Sequence, residues 1–233
     1  MNFDYAYLIA SIFLLLIWLF LYWLWLKPQS RQKMLLVSLV TAPLGLTEPF
    51  FVPSYWSPFT LFNLAGKTGF DLESVLFSFA VGGVAAVLYE AIWGATRRKV
   101  SVHEQHQGRH RIHKFVLISP VISFLPLYLF TPLNPIYSSI LAMTVGAVAT
   151  WYCRPDLVRA MLVGSVLFLA LYFVVFLISF VWLFPGYVPA IWNLPAISGI
   201  LVAGVPVEEL LFAASLGAMW SSVYEHFGWY RFS

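Results

Sequence analysis

Residues 5–26 read YAYLIASIFLLLIWLFLYWLWL, twenty-two positions without a charged side chain. As an α-helix rising about 1.5 Å per residue, such a stretch covers the roughly 30 Å hydrocarbon thickness of a bilayer. It is too long for the core of a signal peptide, and no small-residue cleavage pattern follows it, so it reads as a retained spanning helix. Outward from it lie six more apolar runs, at 35–52, 72–93, 115–130, 136–152, 161–184 and 207–227. The second is interrupted by Pro43 and Glu48, and the fourth carries Pro120 and Pro126. Of the 233 residues, 61% are hydrophobic and only 10% charged. A soluble globule has about a quarter of its residues charged. A chain this poor in charge cannot cover a surface with polar groups, so lipid is its solvent. The expected fold class is all-α, a polytopic transmembrane helix bundle of about seven helices.

The basic residues set an orientation, because cytoplasmic loops collect Lys and Arg. Seven spans with the N-terminus outside put Lys27, Arg31, Lys33, Arg97, Arg98, Lys99, Arg109, Arg111, Lys114, Arg154, Arg159 and Arg231 on the cytoplasmic side. Only Lys67 falls outside, so twelve of thirteen share one face. The expectation is a multi-pass cell-membrane protein with an external N-terminus and a cytoplasmic C-terminus. The net charge of +3 does not imply a nucleic-acid partner. A single cysteine, Cys153, excludes an intrachain disulfide and a cysteine-based metal cluster.

The chain also repeats itself. Gly69-Phe-Asp-Leu-Glu73-Ser-Val-Leu76-Phe77 resembles Gly204-Val-Pro-Val-Glu208-Glu-Leu-Leu211-Phe212 at an offset of 135. The same offset aligns Gly82 with Gly217, Tyr89 with Tyr224 and Glu90 with Glu225. With only ten acidic residues in the chain, two glutamate pairs in register carry more weight than matched leucines. Pro53-Ser-Tyr55 matches Pro185-Gly-Tyr187 at offset 132, so the second copy has three extra loop residues. Each copy is a three-helix unit, 1–95 and 136–233, joined by a basic loop and linker helix at 96–135. The linker restores the parity, making the two units parallel in the membrane. His103, His106, His110 and His113 in the loop could suggest metal binding. A solvated connector near anionic lipid is the expected reading, since no carboxylate or cysteine nearby completes a ligand set.

These residues resemble the membrane-integral lycopene cyclase domain of carotenoid biosynthesis, in which two three-helix units each carry a Pro-x-Tyr loop and a Pro-x-Glu-Glu-x-x-Phe signature. The family has the units as separate subunits in bacteria and fused in archaea and fungi, and this chain looks like the fused tandem form. Pro206-Val-Glu208-Glu209-Leu-Leu-Phe212 matches the signature in full, while Asp71-Leu-Glu73-Ser74-Val-Leu-Phe77 has aspartate for the proline and serine for the second glutamate. The resemblance implies conversion of the ψ-end of lycopene, or a related linear carotenoid, to a β-ionone ring. That reaction is a proton-initiated isomerisation with no net redox. It requires no nicotinamide, flavin or metal, so neither a cofactor nor a metal ligand is expected. The expected partners are a linear carotenoid and the lipid bilayer, with self-association left open.

The chemistry needs a carboxylic acid kept protonated, a base near it, and walls that tolerate a cation while excluding water. Acids inside a membrane are costly and default to a functional hypothesis. Glu48 lies near the outer end of the second helix, and Glu73, Glu208 and Glu209 at the outer starts of the third and seventh. These four are the candidate catalytic residues, with Glu208 the expected proton donor and Glu209 its helper. Their structural alternative is a helix cap or an interhelical hydrogen bond. Tyr55, Trp56 and Tyr187 in the outer loops, with Phe77 and Phe212 of the two signatures, are the expected substrate contacts. For the loop aromatics the alternative is an ordinary interfacial belt. Glu90 and Glu225, seventeen residues inward, are expected in structural pairs near the cytoplasmic interface, Glu90 with Arg97 or Arg98 and Glu225 beside His226.

Other functions fit less well. An intramembrane CAAX-type protease needs Glu-Glu-x-x-x-Arg, but Ala213 stands at the arginine position and no later helix brings histidines. A retinal protein needs a lysine in the last helix, and 207–227 has none. A non-catalytic carotenoid- or isoprenoid-binding protein is the main rival, and a transporter built from parallel repeats the third reading.

Overall fold

The structure is a computed structural model that describes residues 3–106 and 108–233. Met1, Asn2, Gln107 and the side chains of Asn63 and Arg109 lie outside the described residues, Arg109 being one of the cations assigned to the cytoplasmic face. Each of the seven apolar runs maps onto a helix. Helix α1, Ala6–Phe20, continues as a π-turn over Leu21–Trp25, and α2, Pro28–Thr41, continues as a 3-10 helix over Ala42–Phe50. Then follow α3, Leu72–Trp93, α4, His113–Phe130, and α5, Pro135–Cys153. Helix α6, Val158–Phe176, runs on through a π-turn at Leu177–Trp182, and α7 is Val207–Gly228. Among the described residues, five helical segments are long and apolar enough to cross a membrane: α1, α3, α4, α5 and α6 with their extensions. Helix α2 with its extension and α7 are of similar length but more polar, burying Ser30, Lys33 and Ser38 in the one and Glu208, Glu209 and Glu225 in the other. The protein is a multi-pass, all-α membrane bundle.

Local chemistry fixes the ends. The Asp71 carboxylate accepts the Ser74 N–H at 2.6 Å and starts α3, while Gly94 closes it in the left-handed region at φ 60°. Asn134 and Pro135 start α5 in the same manner. Helix α2 begins at Pro28, seven residues before the apolar run suggests, because PQSRQK is polar in sequence yet helical in space.

Helices α3 and α7 form the centre and touch each other. Helices α1 and α2 pack on α3, α5 and α6 pack on α7, and α4 lies against α5. Matching glycines permit matching contacts: a Cβ on Gly82 would fall 1.9 Å from Thr41 Oγ1 of α2, and one on Gly217 would fall 3.0 Å from the Gly164 carbonyl of α6. The aligned loops also meet. Ser57 N–H donates to Ile191 O and Asn193 N–H to Tyr55 O, both at 2.9 Å, and Trp56 faces Trp192. At the other end Arg97–Lys99 pairs antiparallel with Tyr230–Phe232.

Two expectations about the basic end are corrected. Lys33 is not a loop cation: it is fully buried within α2, 2.8 Å from Glu90 and 2.9 Å from Glu225. His110 and His113 are not part of a solvated connector either. Both are buried, because the turn Gly108–Ile112 folds back over the ends of α5 and α7, whereas His103 and His106 are exposed.

Candidate active site

A cavity of about 460 Å³ lies between the central helices. Every long helix lines it: Tyr7 from α1, Glu48 from the extension of α2, Phe77 from α3, Phe124 from α4, Met143 from α5, Tyr172 from α6, and Glu209 and Phe212 from α7. Tyr55, Trp56 and Trp192 enter from the paired loops. The volume suits a compact group of one or two isoprene units better than a whole polyene. Its walls are aromatic and aliphatic, with the carboxylates of Glu48 and Glu209 the acidic groups among the described lining residues.

Glu209 is the most completely held of the acids. Its Oε1 accepts from Tyr55 Oη at 2.6 Å and from Trp192 Nε1 at 3.0 Å, and its Oε2 accepts from Tyr172 Oη at 2.6 Å. Three donors thus aim at its two oxygens, the set a carboxylate accepts with its strongest hydrogen bonds. Burial, and next the Glu209 charge, push the Tyr55 phenol well above its ordinary range, so it stays a donor at any physiological pH.

Glu48 has the opposite surroundings. It is buried beside Asp71 and Ser74, and no hydrogen bond of ordinary geometry reaches either of its oxygens among the described residues. Ser74, which stands where the second copy has Glu209, shares a 2.9 Å hydrogen bond with Tyr7 Oη. Tyr7 sets its ring edge-on to Trp56 at 4.8 Å. The Glu48 carboxyl therefore sits next to a second carboxyl, Asp71, with far fewer donors of good geometry than Glu209 has.

The structure separates the other expected residues from this cavity. Glu208 is buried but points away: it accepts from Tyr137 Oη at 2.7 Å and from Ser198 N–H at 2.9 Å, bracing the segment before α7. Glu73 accepts the Leu61 N–H at 2.6 Å and fixes the loop before α3 in the corresponding way. Neither is a lining residue, and neither is Tyr187. Tyr187 stacks on Phe180 with ring centroids 5.1 Å apart. Its hydroxyl is held neutral by burial and then by the charges of Asp71 and Glu73, which push its pKa up. Tyr55 thus bonds the acid at the opening of α7, while the Tyr187 hydroxyl lies within the electrostatic reach of Asp71 and Glu73 at the opening of α3.

At the basic end, Glu90 and Glu225 come together on one lysine. Arg97 lies 3.8 Å from Glu90 and 3.7 Å from Glu225, and Ser30 Oγ donates to Glu90. Two cations and two anions leave the buried cluster neutral, the arrangement that makes charge tolerable at such a depth.

Sequence reasoning missed Tyr7 and Tyr172 as cavity-lining residues, and Tyr137 as the partner of Glu208. A signal existed for Tyr172, a lone phenol inside the aliphatic stretch of α6, but its partner is 37 residues away and no local pattern links them. For Tyr7 the signal was hidden among the aromatics of α1.

Comparisons with known proteins bear on the C-terminal part of the chain. Residues 134–227 match the family model described as lycopene cyclase. The matched segment contains Tyr137, Tyr172, Trp192, Glu208 and Glu209. No curated protein and no solved structure matches the chain.

Proposed function

From a lycopene cyclase domain at 134–227 as premise, we propose that this membrane protein is a carotenoid cyclase that closes the ψ-end of lycopene, or a related linear carotenoid, into a β-ionone ring. The observation that carries the reading is the contrast between two carboxyls in one aromatic cavity: Glu209 with three donors and Glu48 with none of ordinary geometry among the described residues. Glu48, with Asp71 beside it, delivers a proton to the terminal alkene. The tertiary cation so formed is attacked by the neighbouring double bond, which closes the ring. Glu209 is the fixed counter-anion, and it or its relay through Tyr172 takes up the ring proton. One proton enters and one leaves, so the step is an isomerisation. Tyr7, Trp56, Phe77, Trp192 and Phe212 present ring faces and edges to the migrating charge. Glu208 and Glu73, expected as acids of the reaction, become positioning residues for the loops that carry Ser198 and Leu61.

The tandem organisation belongs to the same proposal, with units at 1–95 and 136–233 and a linker at 96–135. Its support is the meeting of Glu90 with Glu225 on Lys33 and the hydrogen bond from Tyr55 to Glu209. The lipid-dissolved substrate enters from the bilayer.

Expression in bacteria that accumulate lycopene, followed by pigment analysis, tests the reading. The unmodified chain yields cyclised pigment and Glu209→Gln does not. A chain that retains pigment without cyclising it would establish the binding-protein alternative, which the Asp71 and Ser74 departures in the first signature favour.

A further inference from the structure

Away from the cavity, at the basic end of the second unit, three helices bring a set of metal-binding side chains together. His113 opens α4, Cys153 ends α5, and His226 lies in the last turn of α7. One ligand atom from each lies within 4.8 Å of the others, and all three residues are buried. His110, also buried, adds a second imidazole to the sulfur: Cys153 Sγ is 3.6 Å from His110 Nδ1 and 3.7 Å from His113 Nδ1.

We infer that His113, Cys153 and His226 form a three-ligand site for a single zinc-class transition-metal ion, clamping α4 to α5 and α7, with His110 packed against the sulfur. Zinc–sulfur and zinc–nitrogen bonds of about 2.3 and 2.1 Å, spread at a tetrahedral angle, put sulfur and nitrogen about 3.6 Å apart. The 3.7 Å separation of Cys153 Sγ and His113 Nδ1 matches that geometry. His226 supplies an independent sign. Its Nδ1 faces Thr150 Oγ1 at 3.4 Å, while its Nε2 is buried with no partner among the described residues. With the proton on Nδ1, the lone pair of Nε2 is the one a metal takes, and the threonine fixes the ring as outer partners of metal-bound histidines do. Trp229 stacks on His113 with centroids 3.9 Å apart and holds that ring in turn.

The donor set chooses the ion. Imidazole and thiolate suit zinc and its neighbours, whereas calcium and magnesium demand oxygen. The neighbouring Arg154 does not oppose a cation with its full charge, because it is paired to Asp156 at 2.7 and 2.8 Å. Three protein ligands leave the fourth position to water, and the site's distance from the cavity keeps it out of the cyclisation. None of the four residues lines the cavity, so the inference stands or falls separately from the proposed activity.

The test uses the full chain, purified in detergent with an affinity tag that contains no histidine. Metal analysis of protein from zinc-supplemented cells is expected to find about one zinc per chain, as a single mononuclear site holds one ion. After chelator treatment, titration with cobalt(II) should give the strong visible bands of a tetrahedral ion and a sulfur-to-cobalt charge-transfer band. Cys153→Ser should lose the charge-transfer band, and His226→Gln should lose the metal while cavity-lining variants keep it. Metal-free protein that gives no charge-transfer band with cobalt would overturn the inference, as would a band surviving in Cys153→Ser. Where a variant does not fold, the cobalt spectrum of the unmodified chain decides alone.

Discussion

Glu208 and Glu209 are adjacent in sequence but point about 100° apart on an α-helix of 3.6 residues per turn. Only one of two such neighbours can face a cavity, and the one that does is Glu209. The residue-scale prediction reverses the order that the signature alone suggests. Glu209→Gln should lower turnover by about 10²–10⁴-fold, the usual cost of removing a group that moves a proton. Glu48→Gln should cost a similar factor, since the amide has no proton to give. Glu208→Gln keeps both of its hydrogen bonds possible and should retain most of the activity. Cyclised pigment per unit of inserted protein measures all three, and full activity in Glu209→Gln with loss in Glu208→Gln would restore the original assignment. Tyr172→Phe removes one hydrogen bond to a charged acceptor, about 1.5–3 kcal/mol, and should slow turnover about ten- to a hundredfold. Residue identity was therefore legible in the sequence down to the acidic pairs, but the choice within a pair depends on helix rotation. That rotation is set by packing around α7.

Among the elements, the extension of α2 shows where local pattern ran out. Pro43, Gly45 and Pro49 disturb the helix ladder, and the chain answers with a 3-10 segment that carries Glu48 inward. Gly45 is required there because the Ser74 backbone of α3 comes within 2.5 Å of where its Cβ would be. Backbone cannot rotate away as a side chain can. Gly45→Ala should therefore destabilise the protein by about 1–3 kcal/mol, the cost of overpacking, and displace Glu48 from the cavity. Thermal unfolding in detergent and the turnover assay would report the two effects, and an unchanged midpoint would refute the close approach. The apolar runs were readable because their length is imposed by the bilayer. The start of α2 was not, since Lys33 is a cation whose partners sit 57 and 192 residues away.

At the scale of the whole molecule, the basic residues that the structure describes gather at the end marked by Gly94 and Trp229. There Lys27 donates to the Gly94 carbonyl at 3.2 Å and Arg154 to the Tyr230 carbonyl at 2.5 Å. Lys67 lies before α3, at its other end. With the N-terminus outside, cysteines introduced at His103 or His106 should label only after the membrane is breached, and one at Lys67 should label in intact cells. External labelling at His103 would invert the topology. The neutral cluster at this end predicts that Lys33→Met destabilises by about 3–5 kcal/mol, because two carboxylates then compete for Arg97 alone. Normal thermal stability of that variant would mean that the lysine is not needed.

The sharing of Lys33 also makes the two units unequal halves of one ledger of charge. A chain severed in the exposed stretch around 103–106 would leave Lys33, Arg97 and Glu90 on one piece and Glu225 on the other. One fragment would carry a surplus positive charge in its interior and the other a surplus negative charge. Neither could bury its face in lipid alone without cost, and each is the other's neutralising partner. If the chain is built from two such units, the cluster gives each half the charge that the other lacks.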